Sequence, residues 1–218
     1  MIEQPSSRGS STVPNRSLGA GHRNRIAAHL LALDAHDRYL RFGYAAGEEQ
    51  VRRYVEHLDF DRDDIFGIFN RRLDLIAMAH LAFIPHEPDT PAGVEFAVSV
   101  VPRARGRGYG TRLFETAVRH ARNEGAELMF IHALSENIAM IRIARHGGAT
   151  LERAGSETEA YLRLPPATLD SRVSAILDEQ VAQADYRIKK QARNFLHFLG
   201  RLQEIRRGAS GARGKSGR

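Results

Sequence analysis

The residues best placed to do chemistry lie in one stretch, Val94 to Gly125, which reads VEFAVSVVPRARGRGYGTRLFETAVRHARNEG. Gly106, Gly108 and Gly110 alternate with Arg105, Arg107 and Tyr109, and Arg103 precedes them. An alternating apolar run lies before them and a helical pattern after them. Backbone N–H groups at a helix N-terminus lack partners and carry partial positive charge. Glycine lets such a backbone approach a ligand closely, and arginine adds full charges with planar hydrogen-bond forks. Together these features suit a pyrophosphate. A P-loop would need G-x-x-x-x-G-K-[ST], but this loop has no Lys, and Thr111 alone cannot organise Mg²⁺. A dinucleotide fingerprint would need G-x-G-x-x-G, whereas the loop reads G-R-G-Y-G. Glu127 falls near the spacing of a ribose-binding acid but precedes the next strand instead of ending it.

Several elements must position that loop. Ile26–Gly43 carries a helical apolar pattern, and Gly47–Phe60 is a second helix with Val51, Tyr54, Val55 and Leu58 at i, i+3, i+4, i+7. DDIFGIFN and RRLDLIAMAHLAFI read as two strands joined by a tight turn near Asn70–Arg72. The three prolines of Pro85–Gly93 make a loop. VEFAVSVV is a strand, and YGTRLFETAVRHARNEG is a helix ending at Gly125. ELMFIHAL is an apolar strand, SENIAMIRIARHGG a helix capped by Ser135 or Asn137, and ATLERAG with EAYLRL a final hairpin. The order α, α, β, β, β, α, β, α, β, β implies an α/β layer protein with a mixed sheet.

Composition bounds the rest. The 218 residues contain no cysteine, which removes disulfides, thiolate metal sites and a Cys nucleophile. The ten histidines show no metal-ligand spacing, so no metal is expected. No apolar run approaches the ~20 residues of a membrane span, and the N-terminus lacks the apolar core of a signal peptide. A cytoplasmic setting and no membrane partner are therefore expected. Residues 1–24 read as a disordered lead-in, 25–164 as the folded domain, 165–207 as a helical extension and 208–218 as a disordered basic tail. Up to Leu164 the chain has 21 Lys+Arg and 21 Asp+Glu; beyond it the counts are 11 and 5, so the extension carries the whole net charge of +6. That excess either aids solubility or meets an acidic partner. Leu169 to about Arg206 carries an apolar stripe at helical spacing, a helix roughly 50 Å long. It would wrap its own domain or form a homodimer.

The spacing Arg105-x-x-Gly108-x-Gly110 resembles the acetyl-CoA motif [RQ]-x-x-G-x-[GA] of the GNAT acyltransferase superfamily. VSVVPRARGRGYG is similar to the family's strand–Pro–loop–helix sequence, and SENIAMIRIARHGGA resembles its next motif, an Asn followed by a helix ending at glycines. The resemblance covers roughly Ile26 to Leu164. It implies a three-layer fold whose mixed sheet splays in the middle, where the pantetheine arm of acetyl-CoA inserts as a pseudo-strand. It also implies that Val98, Ser99 and Val100 offer backbone groups to that arm, with an amide after a strand bulge near Val98 polarising the thioester carbonyl. Arg105, Gly106, Arg107, Gly108, Tyr109 and Gly110, with Thr111 beside them, would hold the pyrophosphate. Asn137 would hydrogen-bond the cofactor arm. Glu95, in phase with Ala97, Ser99 and Val101 on the strand, is the expected general base, since an amine of pKa about 10.4 must lose a proton before it attacks. The chain departs from the family where a Tyr commonly stands as general acid, for that position is Ala144. Ser135, Tyr161 or water could take over, and His132 and His146 flank the region.

The resemblance places the acceptor cleft near Asp34–Gly47, Pro85–Gly93 and the last hairpin. LDAHDRYLRFG resembles a segment of bacterial protein-lysine acetyltransferases. An edge of Asp34, Asp37, Glu48, Glu49, Glu87 and Asp89 would favour a cationic acceptor. The expected activity is therefore N-acetylation of a primary amine, a small molecule or a protein Lys, by direct attack in a ternary complex. The alternative is a CoA-binding regulatory module without catalysis, whose basic tail meets protein or nucleic acid. Nucleic acid is the less favoured partner, since no aromatic ladder accompanies the tail's charges.

Overall fold

The computed structural model describes residues 15–85, 90–155 and 157–165. The chain divides into Met1–Ala167 and Thr168–Arg218, and the described residues belong to the first unit. The expectations for the long helix, its dimer and the basic tail lie outside them.

The helical pattern from Ile26 to Gly43 resolves into two helices, α1 (Arg23–Leu31) and α2 (Ala35–Phe42). The break is chemical. The Asp34 carboxylate accepts the Asp37 N–H at 2.7 Å, which starts a new helix as an N-cap, and Gly43 ends it at φ 72°. α3 (Glu48–Glu56) follows. The lead-in also needs correcting, because part of it is folded. Arg16–Ser17 forms a short strand, β1, and buried Leu18 donates its N–H to the Ile65 carbonyl at 2.8 Å.

The remaining elements are β2 (Asp64–Phe69), β3 (Leu75–Phe83), β4 (Gly93–Val100), α4 (Tyr109–Asn123), β5 (Leu128–Leu134), α5 (Ile138–His146), β6 (Thr150–Ala154) and β7 (Glu157–Arg163). They build one sheet in the order β1-β2-β3-β4-β5-β7-β6. All neighbours run antiparallel except β4 and β5.

Alternation along β4 separates the two faces. Phe96 packs edge-on against Phe114 of α4, with ring centroids 5.2 Å apart. Ser99, of opposite parity, meets His29 of α1. Helices α1–α3 therefore cover one face, and α4, with α5 beside it, covers the other. The result is the three-layer α/β architecture that the sequence implied.

One joint between layers is polar. His29 is only 2% exposed. Its Nδ1 lies 2.9 Å from the Leu75 carbonyl and its Nε2 lies 2.8 Å from Ser99 Oγ. A carbonyl can only accept, so the neutral ring carries its proton on Nδ1, and the Ser99 hydroxyl donates to Nε2. Burial, the largest cause, lowers the His29 pKa from 6.5 to about 4. A lowered histidine pKa means that the fold disfavours the charged form. Its contribution is fully present above pH 6.5 and is lost as pH falls toward 4, by about 3 kcal/mol at 1.36 kcal/mol per unit. Chemical unfolding between pH 7 and pH 4 should show this loss in the parent chain. A His29→Gln variant, less stable at pH 7, should show a shallower decline over the same window.

Candidate active site

The site begins where the sheet opens. β4 and β5 pair only at Gly93↔Leu128, Val94↔Met129 and Glu95↔Phe130. Beyond these pairs the strands part, while each keeps its outer partner, β3 for β4 and β7 for β5. The phase of the β3–β4 ladder shows which groups face the gap. Val101 donates to the Ile76 carbonyl at 3.0 Å, and Ile84 to the Gly93 carbonyl at 2.9 Å. Hydrogen-bonded pairs alternate in an antiparallel ladder, so Ser99 spends its backbone on Met78 and Ala97 on His80. Val98 and Val100 turn their N–H and C=O groups toward the gap.

This arrangement corrects two expectations. Ser99 lies between the two residues whose backbones face the gap, and its own N–H and C=O point toward β3. No bulge interrupts β4, since its register against β3 is unbroken from Ala77↔Val100 to Phe83↔Val94.

At the end of β4 the chain makes a single 3₁₀ turn, Pro102–Ala104, and enters the glycine loop. Gly106 (φ 72°) and Gly108 (φ 73°) both adopt the left-handed conformation that only glycine adopts cheaply. Gly108 is the N-cap of α4 and offers no capping side chain, so the first-turn N–H groups of Tyr109, Gly110 and Thr111 have no helical partner. The open edge of β4, this helix terminus and Asn137 line one cleft of about 380 Å³, closed on its other side by Leu33, Leu40 and Arg41.

The three arginines divide. Arg105, itself exposed, lines the cleft, with its guanidinium paired to the buried Asp37 of α2 and its Nε donating to the Val100 carbonyl at 3.3 Å. Arg103 turns outward toward Asp74, 3.9 Å away on the β2–β3 turn. Arg107 is exposed and lies outside the cleft lining. Asn137 caps α5, with Oδ1 accepting the Met140 N–H at 3.1 Å. Its Nδ2 is 3.5 Å from the Leu40 carbonyl, so α2 and α5 approach each other across the gap. Ala144 is 1% exposed, so this position presents no group to the cleft.

Glu95 stands at the last paired position of β4, half-buried on the α1–α3 face. Beside it lies a network that sequence reasoning missed. Tyr54 of α3, expected only as part of an apolar stripe, places its hydroxyl 2.7 Å from His80 Nδ1. His80 Nε2 is 3.0 Å from Asp63 Oδ2, and Arg41 donates to the Tyr54 oxygen at 3.0 Å. Asp63 can only accept, so His80 carries a proton on Nε2, and the Tyr54 oxygen, which accepts from Arg41, also bonds to His80 Nδ1. Burial raises the Tyr54 pKa, with the Arg41 cation opposing that rise and the Glu95 and Asp63 carboxylates adding to it. The available sign was His80 itself, a polar residue in the apolar run LIAMAHLAF.

The acidic edge expected around the acceptor is mostly spent elsewhere. Asp34 caps α2, Asp37 pairs with Arg105, and Glu48 and Glu49 sit on exposed turns of α3 beside Arg52 and Arg53. Glu87 and Asp89 lie outside the described residues. No cluster of three or more His, Asp or Glu that could hold a metal occurs among the described residues. None of the described helices is long and apolar enough to cross a membrane.

Comparison with curated proteins returns no match. Solved structures share the fold. The GNAT domain of S. lividans PAT is 23% identical, over 69% of this chain and 89% of that one, with a TM-score of 0.58. The Salmonella typhimurium protein yncA, solved with its cofactor acetyl-CoA, is 17% identical over 74% of this chain and 99% of that one, with a TM-score of 0.55. Spermidine N-acetyltransferase from Vibrio cholerae, solved with CoA and spermine, is 16% identical over 69% of this chain and 95% of that one, with a TM-score of 0.53. The sequence model of the Acetyltransferase (GNAT) family matches residues 28–148. With more than half of its length matched, a sheet parted beyond Glu95 and a glycine loop opening α4, the chain belongs to the GNAT acetyltransferase family.

Proposed function

We propose that this protein is an N-acetyltransferase that moves the acetyl group of acetyl-CoA to a primary amine by direct attack in a ternary complex. The observation that carries the reading is the continuity of one cleft. An unpaired strand edge leads directly into a helix N-terminus whose N–H groups await an anion. A thin amide-bearing arm ending in a pyrophosphate fits both halves. Val98 and Val100 would meet the arm's amides. The N–H groups of Gly108, Tyr109, Gly110 and Thr111 would hold the pyrophosphate, with Gly106 shaping the turn. The Asn137 amide would orient the arm between them. When bound, acetyl-CoA supplies the acetyl group as an activated thioester.

The protein's own task is then proton removal. Glu95 lies where β4 and β5 separate and takes a proton from the incoming ammonium, directly or through a water. With Ala144 in the core, that position offers no phenol to protonate the departing sulfur. A thiol whose pKa is near 8.5 can leave as the anion.

The test is release of free CoA thiol from acetyl-CoA in the presence of an amine panel. Saturable, amine-dependent release is expected, and release at the background rate with every amine would refute the proposal. The buried Ala144 also favours a second reading, a CoA-binding module without transfer, which predicts that background result together with intact CoA binding.

A further inference from the structure

Arg41 is a partly buried charge in the cleft that the transfer reaction leaves unexplained. Arginine is rarely buried without a partner. Arg41 is only partly exposed, yet no carboxylate stands within ion-pair distance of it among the described residues. Its Nε is buried and finds no acceptor there.

The side chain is nevertheless fixed. Its guanidinium carbon lies 5.2 Å from the Phe42 ring centroid and 5.5 Å from that of Tyr54, and one terminal nitrogen donates to the Tyr54 hydroxyl. The Tyr54–His80–Asp63 chain holds that hydroxyl in turn.

The ladder register gives its height in the cleft. His80 pairs with Ala97, two residues from Glu95 on the same face of β4. Arg41 therefore sits near the mouth of the splay, one helical turn beyond Asp37, which reaches Arg105 at the phosphate loop. Through Tyr54 and His80 the Arg41 guanidinium is thus tied to the level of Ala97, on the sheet face that also carries the Glu95 carboxylate. A carboxylate and a guanidinium at neighbouring levels of one sheet face suit a ligand carrying the opposite pair.

We infer that the acceptor is a zwitterion, a small primary amine that also bears a carboxylate. Arg41 binds the carboxylate while the nitrogen faces Glu95. This inference rests on the acetyltransferase reading and deepens it by naming the acceptor class. A guanidinium fork matches a carboxylate's two oxygens, and a cation at this point repels polyamines and free lysine side chains. Of the acidic residues that would have favoured those acceptors, Asp34 caps α2 and Asp37 pairs with Arg105.

The experiment uses the full chain at saturating acetyl-CoA, with thiol release as readout. The acceptors are α- and ω-amino acids, each beside its own carboxamide, and spermidine. The preferred acid should exceed its carboxamide about 100-fold in kcat/KM, because removing the carboxylate leaves the Arg41 cation unpaired. Arg41→Gln should bring the acid down to the level of the carboxamide, and Arg41→Lys should restore part of the preference. Calorimetric binding of CoA to each variant reports that the fold and the cofactor half survive. Equal use of acid and carboxamide by the parent chain, or a preference for spermidine, would overturn the inference and leave the acetyltransferase reading standing. An acid preference unchanged in Arg41→Gln would also overturn it. Absence of thiol release with every acceptor would remove the reading and the inference with it.

Discussion

Replacing Glu95 by Gln should slow acetyl transfer about 1,000-fold near neutral pH, within the range of a lost general base. Acetyl-CoA should bind the variant as before. Gln keeps the shape and polarity of the side chain and loses only its ability to take a proton. Glu95 lies outside the cleft lined by the phosphate loop and Asn137, so the cofactor half has no reason to change. The defect should also depend on pH in a defined direction. Below the pKa of the acceptor amine, about 10.4 for a lysine-like nitrogen, the substrate arrives as an ammonium and needs the base. As pH rises toward that value more of it arrives deprotonated, and the ratio of parent to variant rates should shrink. Initial rates of thiol release from pH 7 to pH 10.5 measure this. A variant as fast as the parent would reduce Glu95 to a structural strand residue.

The second large effect is expected at Gly108. Its φ of 73° is left-handed, and a β-carbon there would meet no atom within 4 Å. The obstacle to a side chain is therefore conformational, about 1–2 kcal/mol for an ordinary L-residue and more for a β-branched one. Gly108→Val relieves that strain by turning the loop, which swings the first N–H groups of α4 away from the cleft. Affinity for acetyl-CoA should fall about 100-fold, in keeping with the loss of two or more hydrogen bonds to a charged group. Thermal unfolding should shift only slightly, because the loop is exposed. Unchanged affinity measured by calorimetry would show that this turn holds no anion.

The features legible in the sequence were those carried by local chemistry. Glycines in alternation before a helical pattern announced a loop whose backbone can approach a ligand closely, and β4, α4 and α5 stand within a residue or two of where periodicity put them. Long-range features were harder to read. Only the sheet's pairing shows that Ser99 turns its backbone away from the gap and that β4 runs without a bulge, since both depend on the register against β3. The break between α1 and α2 was present in principle, in an Asp three residues before another Asp, but the apolar period ran across it. Tyr54 looked like core because its spacing was that of core. Its hydroxyl gains meaning only from His80, 26 residues later. Charge was misleading for the same reason. Acidic residues near the acceptor side suggested a cationic ligand, but Asp34 is spent as a cap and Asp37 on Arg105, while Arg41 stands in the cleft without a carboxylate partner among the described residues.

Capture of an anionic tail at the N-terminus of α4, next to an open strand edge, is the step on which the proposed transfer depends. Parallel calorimetric titrations of the full-length protein with acetyl-CoA and with S-acetylpantetheine, which lacks the nucleotide and its pyrophosphate, test this most directly. Saturable heat is expected with acetyl-CoA, and binding at least about 100-fold weaker for the truncated thioester. Equal affinity for the two, or no heat with acetyl-CoA, would contradict that capture.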